Sequence, residues 1–413
     1  METTLNRVSK QLWYFVFVVW VLLSTTPARA VSQPECITDS QDASNIILSA
    51  PCGIYGIVNS RQENGSGTTL DVTVQYMVHV PVGEPRAVVM LFAGGNGDTG
   101  IQGNDATGEV THAGNNFLVR SAQLFAEDGF LAVTIDRPST TVGLSNADFD
   151  LYRVSPRHAH DIAAALSEVN LLFGTAYLDL FLAGTSRGAI SVVAQNMLGI
   201  GSMLSSAVTS PSGNTLWVGS TSTHPRLVPE FVDVPAQVLA HEDDACFVST
   251  PVNSAILHND LIAAGVSSVS NQLNGGFVVD PDACQAKTFH GFLGIENAAV
   301  DTITDRMNQI LAVNDKLYPG NHKPRARNTR FRTHGGVPIL INLAALTSDP
   351  DGNVLFHSLP HNSSSRGAKL LKFGPFVLYI PPASFSNVLD GFVYTAADGK
   401  GGKSIGIVAV KIN

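Results

Sequence analysis

Short apolar runs alternate with longer amphipathic segments along the first three quarters of the chain. The run "RAVVMLFAGG" (86–95) is apolar almost throughout and ends in glycines, as expected of a strand buried on both faces of a sheet. "FLAVTID" (130–136) and "LDLFLAG" (178–184) have the same character. Residues 117–128 and 156–173 instead carry apolar side chains at helical spacing, and a glycine follows each. The alternation predicts an α/β fold, a mostly parallel sheet with helices on both faces.

The pattern changes after about residue 320. Short apolar runs such as "GVPILINL" and "FVLYIPP" are separated by Asp, Gly and Pro turns, and the helical period is absent. We therefore expect an α/β domain over 31–317, a Pro- and Arg-rich linker over 318–330 and a small all-β sandwich over 331–413.

Residues 1–30 have the pattern of a signal peptide. Arg7 and Lys10 precede the apolar run 12–23, and the small-residue motif "ARA" follows at 28–30. The run is shorter than the ~20 residues that a membrane-spanning helix needs. We expect the chain to be exported and the segment removed, which makes the protein secreted, periplasmic or attached to the cell surface.

The four cysteines agree with export, because disulfides persist in oxidising compartments. Four cysteines allow three pairings. Sequence position favours Cys36 with Cys52 and Cys246 with Cys284.

Charge is distributed unevenly along the chain. Residues 31–320 contain 11 Lys and Arg against 29 Asp and Glu, whereas residues 321–413 contain 11 against 4. The net −9 of the whole chain argues against nucleic acid as a partner. The basic C-terminal module could instead contact a cell wall or another anionic polymer.

A Gly-x-Ser-x-Gly pattern, "GTSRG" (184–188), stands between an apolar strand and a helix. A strand-to-helix turn this tight needs glycines on both sides and exposes the Ser186 hydroxyl at the sheet edge. The following backbone N–H, on Arg187, would then face the carbonyl under attack. This context predicts a nucleophilic serine rather than an ordinary glycine-rich turn.

A nucleophilic serine needs a base and an acid that orients it. In the chain order Ser, acid, His, the stretch "HEDDAC" (241–246) offers Asp243 or Asp244, and "FHGFLG" (289–294) offers His290. His158 and His160 lie at a helix start and are expected to cap or pack.

A second oxyanion donor is expected from the loop "FAGGNGDTG" (92–100) after an early strand. Its glycines would let the N–H of Gly95 or Asn96 approach the substrate oxygen. The loop lacks the Lys-Ser/Thr end of a phosphate-binding loop. The stretch 209–227 is expected to cover part of the pocket, where Trp217 is either a wall or a packed surface aromatic.

Together, "LFAGGNG", "LAGTSRGAIS", "HEDDAC" and "FHGFLGIE" resemble a bacterial branch of the secreted α/β-hydrolases over about residues 50–315. In that family pattern the acid stands two residues before a cysteine, and a second cysteine precedes the catalytic histidine. The resemblance thus implies Asp244 as the acid and a bridge between Cys246 and Cys284 near the site.

The C-terminal module is similar to cadherin-like or Ig-like repeats of bacterial surface proteins, through "SDPDGNVL", "GPFVLYIPP" and "DGFVYTAADGKGGKS". Such repeats often bind calcium, but this one is single and basic. Four aspartates could hold a hard cation, although turn formation is the favoured role. They are Asp349, Asp351, Asp390 and Asp398.

These features predict an exported serine hydrolase of carboxylic esters, with Ser186, His290 and Asp244 as its triad and no cofactor or metal. Two alternatives stay open. One is an inactive hydrolase-like surface protein that binds a polymer, and the other is a serine peptidase of the same fold.

Overall fold

A computed structural model describes residues 53–64, 69–104, 109–112, 115–176, 178–195, 201–204, 234–247 and 249–413. The signal segment, Cys36, Cys52 and Trp217 lie outside these ranges. None of the helices within them is long and apolar enough to cross a membrane.

An eight-stranded sheet forms the centre of the first domain, with the order β1-β2-β6-β3-β7-β8-β9-β10. β2 runs antiparallel to its neighbours β1 and β6, and the strands from β6 to β10 are parallel. β4 and β5 form a separate ribbon. The strands are β1 (Ile54–Asn64), β2 (Thr69–His79), β3 (Val88–Phe92), β4 (Gln102–Asn104), β5 (Glu109–Thr111), β6 (Leu131–Ile135), β7 (Leu180–Gly184), β8 (Gly201–Leu204), β9 (Ala236–His241) and β10 (Ser268–Leu273).

The central strands β3, β6 and β7 are buried at every position, as the continuous apolar runs predicted. Helices cover the sheet and enclose a hydrophobic core on each face. The helices are α1 (Phe117–Arg120), α2 (Ala122–Glu127), α3 (Asn146–Arg153), α4 (Pro156–Phe173), α5 (Gly188–Gln195), α6 (Pro251–Ala263) and α7 (Glu296–Leu317).

Helix α4 begins and ends where the sequence predicts. The Ser155 side chain accepts a hydrogen bond from His158 N, Pro156 is the first helical residue, and Gly174 ends the helix with a φ of 66°. The segment 117–128 differs from the expected single helix. It is divided into α1 and α2 at Ser121, whose φ and ψ of −101° and 5° leave the α-helical range.

The second domain packs a four-stranded sheet, β12-β19-β18-β15, and a three-stranded sheet, β13-β17-β16, around one apolar core. β11 and part of β12 fall within 318–330, the segment expected to be a linker. The strands are β11 (Arg325–Ala326), β12 (Thr329–Thr333), β13 (Ile339–Asn342), β14 (Thr347–Ser348), β15 (Phe356–Ser358), β16 (Lys369–Phe373), β17 (Phe376–Ile380), β18 (Val388–Ala397) and β19 (Lys403–Ile412).

The four aspartates of this domain accept hydrogen bonds from the protein itself. Asp390 is buried and accepts from the Tyr379 hydroxyl at 2.6 Å, the Ser364 hydroxyl at 2.5 Å and the Arg366 backbone N–H at 2.9 Å. Asp398 accepts from backbone N–H groups in its turn, Asp349 does the same, and Asp351 pairs with His322. The turn-forming role therefore fits Asp349 and Asp398, whereas Asp390 lies within β18 and joins side chains there.

The second domain packs directly on the first through α4, which contacts β18 and β19. The Lys323 ammonium donates to Leu178 O near Asp179. Burial lowers the pKa of Lys323 to about 8 and raises that of Asp179 to about 6. The two domains therefore share a partly buried polar contact.

Candidate active site

Ser186 lies in the turn between β7 and α5. It has a φ of 52°, a left-handed conformation that is uncommon for a residue with a side chain. A Cβ at Gly184 would overlap with the backbone of Gly188, and one at Gly188 would overlap with Phe92 O. The turn can form only with glycine at both flanks, as the sequence pattern predicted.

Arg187 follows the serine. The first backbone donors of α5 are Gly188 N and Ala189 N, which bond to Thr185 O and Ser186 O. Arg187 N stands before them, where a helix leaves N–H groups without intrahelical partners. The Arg187 side chain turns aside to form an ion pair with the buried Asp150 of α3, and burial lowers the pKa of its guanidinium.

The loop after β3 approaches the serine closely. A Cβ on Gly94 would stand 3.0 Å from both Ser186 Cβ and Thr185 O, so a side chain there would press on the serine turn. Gly94 O accepts from Gly97 N at 3.0 Å. Because a trans peptide places its N–H opposite its C=O, the Gly95 N–H points away from this turn. Gly95 is exposed and has a φ of 55°.

Arg153, which the sequence analysis missed, holds this loop from behind. Its buried guanidinium donates to Ala93 O at 2.7 Å, to Gly95 O at 3.4 Å and to the Ser191 hydroxyl at 2.6 Å. Burial lowers its pKa to about 9. With Gly95 O directed at Arg153, the Asn96 N–H points the opposite way. An arginine inside an amphipathic helix gives no sequence signal for this role.

His158 belongs to the same buried group. Its Nε2 lies 2.9 Å from the Ser191 hydroxyl, and burial together with Arg153 places its pKa well below the ordinary value. His160 is buried as well, beside Gly391 of the second domain. Both histidines therefore pack, as expected.

Asp244 and His290 form a buried pair. Asp244 Oδ2 lies 3.0 Å from His290 Nδ1, and Asp244 Oδ1 accepts from Cys246 N at 2.9 Å. Asp243 is exposed, and its backbone N–H donates to His241 Nδ1 at 3.0 Å. Of the two adjacent acids, the structure places Asp244 on the imidazole.

Ser249 contacts both residues of this pair, and sequence reasoning missed it. Its fully buried hydroxyl donates to Asp244 Oδ2 at 2.9 Å and lies 2.7 Å from His290 Nδ1. The hydroxyl can accept from the imidazole while it donates to the carboxylate. Its position in the same "HEDDACFVST" stretch as Asp244 was the available signal.

A disulfide joins the two loops that carry the pair. Cys246 bonds to Cys284, 38 residues further along the chain, as the sequence predicted. Cys246 O also accepts from Ser249 N at 3.0 Å, so the cysteine lies in the middle of the turn between Asp244 and Ser249.

Arg120 holds the histidine loop from the other side. It donates to the backbone oxygens of Asn115, Ala286 and Gly291 and forms an ion pair with Glu296. Burial lowers the pKa of its guanidinium, and Glu296 opposes that shift. Sequence reasoning missed this clamp, because three of its four partners lie 166–176 residues away.

The segment around α1 also connects the serine to the histidine. The Asn116 side chain lies near Gly94, which itself contacts Ser186, and the next residue, Phe117, packs on Phe292 with ring centroids 5.1 Å apart. His290 Nε2 is buried and has no hydrogen-bond partner among the described residues. It is the imidazole nitrogen on the side opposite Asp244.

The sheet order, the single antiparallel strand β2 and the serine turn after β7 decide the architecture. The first domain has the α/β-hydrolase fold. Solved structures similar to this α/β-hydrolase domain include an α/β serine hydrolase without a lid from Xanthomonas campestris, at 14% identity and a TM-score of 0.34, covering 60% of this chain and 94% of that one. Esterase 2 of Thermogutta terrifontis is 13% identical with a TM-score of 0.38 and coverage of 64% and 96%.

A putative dienelactone hydrolase from Klebsiella pneumoniae is 12% identical with a TM-score of 0.39, covering 63% of this chain and 99% of that one. At these values the neighbours carry no information on the reaction, which has to be inferred from the side chains. The model of a bacterial Ig domain matches residues 321–411, so the second domain is Ig-like. Curated proteins give no match to the chain.

Proposed function

We propose that the protein is an exported serine hydrolase of carboxylic esters. Ser186 attacks the acyl carbon, His290 accepts its proton and later returns it to the leaving alcohol, and water then releases the acyl group from the serine. Asp244 holds the imidazole in the tautomer that carries a proton on Nδ1. The N–H groups of Arg187 and of Gly95 or Asn96 stabilise the oxyanion.

The conformation of Ser186 carries this proposal. Only three of the described non-glycine residues have a positive φ, namely Ser186, Phe292 and Asn387. The first is the proposed nucleophile, and the second lies two residues beyond the proposed base. Such backbone conformations cost of order 1–3 kcal/mol and cluster at active sites. The buried Asp244–His290 pair supports the same interpretation and weighs against an inactive surface protein.

Export is supported by the disulfide between Cys246 and Cys284, because such bonds persist in oxidising compartments. The net charge of +7 over residues 321–413 supports contact with an anionic polymer. The contact would bring the hydrolase domain to an insoluble substrate.

A fluorophosphonate probe tests the nucleophile. We expect the purified protein to be labelled and Ser186→Ala to lose both the label and about 10⁴-fold or more of its turnover of p-nitrophenyl acetate. Ser358→Ala is the matched control, because it also removes one hydroxyl but lies in the second domain. It should keep both the fluorophosphonate label and the turnover of p-nitrophenyl acetate. Labelling of Ser186→Ala at the wild-type level would refute the assignment.

A comparison of ester and amide substrates with the same acyl group distinguishes an esterase from a peptidase. Activity on p-nitrophenyl esters of acetate, butyrate and octanoate, without activity on matched p-nitroanilides, would support the esterase. Faster turnover of the anilides would favour the peptidase instead.

A further inference from the structure

A polar cavity of about 460 Å³ lies at the edge of the sheet, apart from the serine turn. Its walls come from β1, β2 and β4, from the loop after β3 and from the segment after β6. The side chains that determine its chemistry are Tyr55, Gln75, Asp98, Asp136, Arg137 and Ser139.

Strand register places this cavity beside the candidate active site. Phe92 of β3 pairs with Ile135 of β6 on one side and with Gly184 of β7 on the other. The next residues, Asp136 and Thr185, therefore stand at the same level of the sheet, two strand spacings or ~10 Å apart. Ser186 comes directly after Thr185, so the cavity opens on the same edge as the nucleophile.

The loop after β3 contributes residues both to the surroundings of Ser186 and to the cavity. Gly94 contacts Ser186, and Asp98 N donates to Asn96 Oδ1 at 3.2 Å. The Asp98 carboxylate then accepts from Arg137 Nη2 at 2.6 Å inside the cavity wall. A ligand held by Asp98 and Arg137 would thus contact the far end of the proposed oxyanion loop.

The cavity presents hydrogen-bond donors and acceptors side by side. Asp136 Oδ1 is already occupied by Thr99 N and Arg137 N, at 2.9 and 2.8 Å, which fixes the carboxyl in place. Arg137 Nη1 is buried and has no partner among the described residues. Gln75 accepts from the Tyr55 hydroxyl at 2.9 Å, and its amide nitrogen remains a possible donor.

This chemistry excludes several ligand classes. Two carboxyl groups, Asp98 and Asp136, stand against one guanidinium in the lining, and this balance disfavours an anion. A polar lining disfavours an aliphatic acyl chain, because polar groups buried against it would lose hydrogen bonds. A neutral ligand with many hydroxyl groups matches this lining, because each hydroxyl can donate to the carboxyl and amide oxygens and accept from Arg137.

We propose that this cavity binds the carbohydrate portion of an ester substrate, two strand spacings or ~10 Å from the ester bond at Ser186. The inference rests on the proposed hydrolase function and specifies its substrate class. Because remote contacts raise kcat/KM when they position the reacting bond, the enzyme favours esters of sugars over esters of simple alcohols.

A variant at the mouth of the cavity tests this inference. Val142 lines the cavity and is 66% exposed, so Val142→Trp can obstruct the opening without disturbing the core. Val82→Trp is the matched control, since Val82 is fully exposed in the turn between β2 and β3, at the opposite edge of the sheet. The measured quantity is kcat/KM for mono-acetylated xylotriose divided by kcat/KM for p-nitrophenyl acetate.

We expect this ratio to fall at least tenfold in Val142→Trp and in Arg137→Gln and to stay unchanged in Val82→Trp. An unchanged ratio in both cavity variants would overturn the proposal, because the sugar would then bind elsewhere.

Direct binding separates this proposal from the proposed function. Titration calorimetry of Ser186→Ala with xylotriose and with cellotriose should show binding of at least one sugar, and its loss in the Ser186→Ala/Val142→Trp double variant. If the wild type neither takes the fluorophosphonate nor hydrolyses any ester, the hydrolase proposal fails while the calorimetry still decides the cavity. Absence of binding of both sugars overturns the carbohydrate site even in an active esterase.

Discussion

The disulfide between Cys246 and Cys284 is expected to matter more for catalysis than for folding. The change to make is the double variant Cys246→Ser/Cys284→Ser, which leaves the other cysteines untouched. Cys246 is fully buried between Asp244 and Ser249, and Cys284 lies six residues before His290. Without the bond, the acid loop is joined to the histidine loop by the contacts of His290 with Asp244 and Ser249, while Arg120 holds the histidine loop alone.

The size of the stability change follows from the loop that the bond closes. For a separation of 38 residues, the chain-entropy model gives a stabilisation of about 4 kcal/mol. A domain with a typical unfolding free energy of about 5–15 kcal/mol would remain mostly folded without it. Turnover depends instead on the 3.0 Å contact between Asp244 and His290. In Ser-His-Asp enzymes, replacing the aspartate lowers kcat by about 10⁴-fold.

We therefore expect kcat for p-nitrophenyl acetate to fall at least tenfold in buffer where circular dichroism shows a folded protein. Urea unfolding followed by circular dichroism gives the accompanying loss of free energy. Leu370→Ala is the matched control, because it removes a buried side chain from the second domain and costs about 2–5 kcal/mol far from the site. If the double variant keeps full kcat while its unfolding midpoint falls like that of the control, the bridge serves stability alone.

Three further predictions concern single side chains. Asp244→Asn should lower kcat by about 10⁴-fold, whereas Asp243→Asn, at an exposed position, should leave it within about twofold; equal losses in steady-state assays would contradict the assigned register. Ser249→Ala removes the hydrogen bond to the Asp244 carboxylate, and a bond to a charged group is typically worth about 1.5–3 kcal/mol. It should lower kcat about ten- to a hundredfold with KM unchanged, while Ser249→Thr keeps most activity. Asp179, with its pKa raised to about 6, binds its proton more tightly when folded, so stability should decline as pH rises from about 4 to 6. Asp179→Asn should flatten that decline in melting-temperature scans, and an unchanged slope would show that another group causes it.

Much of the α/β architecture could be predicted from local pattern. The buried strands β3, β6 and β7 are continuous apolar runs, α4 has its cap and its terminating glycine, and the serine turn has a glycine on each side. Each of these features depends on residues within a few positions of one another, where backbone sterics and hydrogen bonding act directly. The separation of α1 from α2 was missed because apolar spacing alone does not show that Ser121 leaves the helical conformation.

The amino-acid sequence by itself thus determined the order of the catalytic groups along the chain: a serine turn, an acidic stretch beside a cysteine and a later histidine. Only the tertiary structure decided that Asp244 rather than Asp243 meets His290, that Ser249 joins them, and that Arg153 and Arg120 hold the surrounding loops. Apart from the contacts of Asp244 with Ser249 and of Arg120 with Asn115, these contacts join residues 38 to 176 positions apart. Their geometry depends on which strands are neighbours and how loops close over the sheet edge, and no local pattern encodes that.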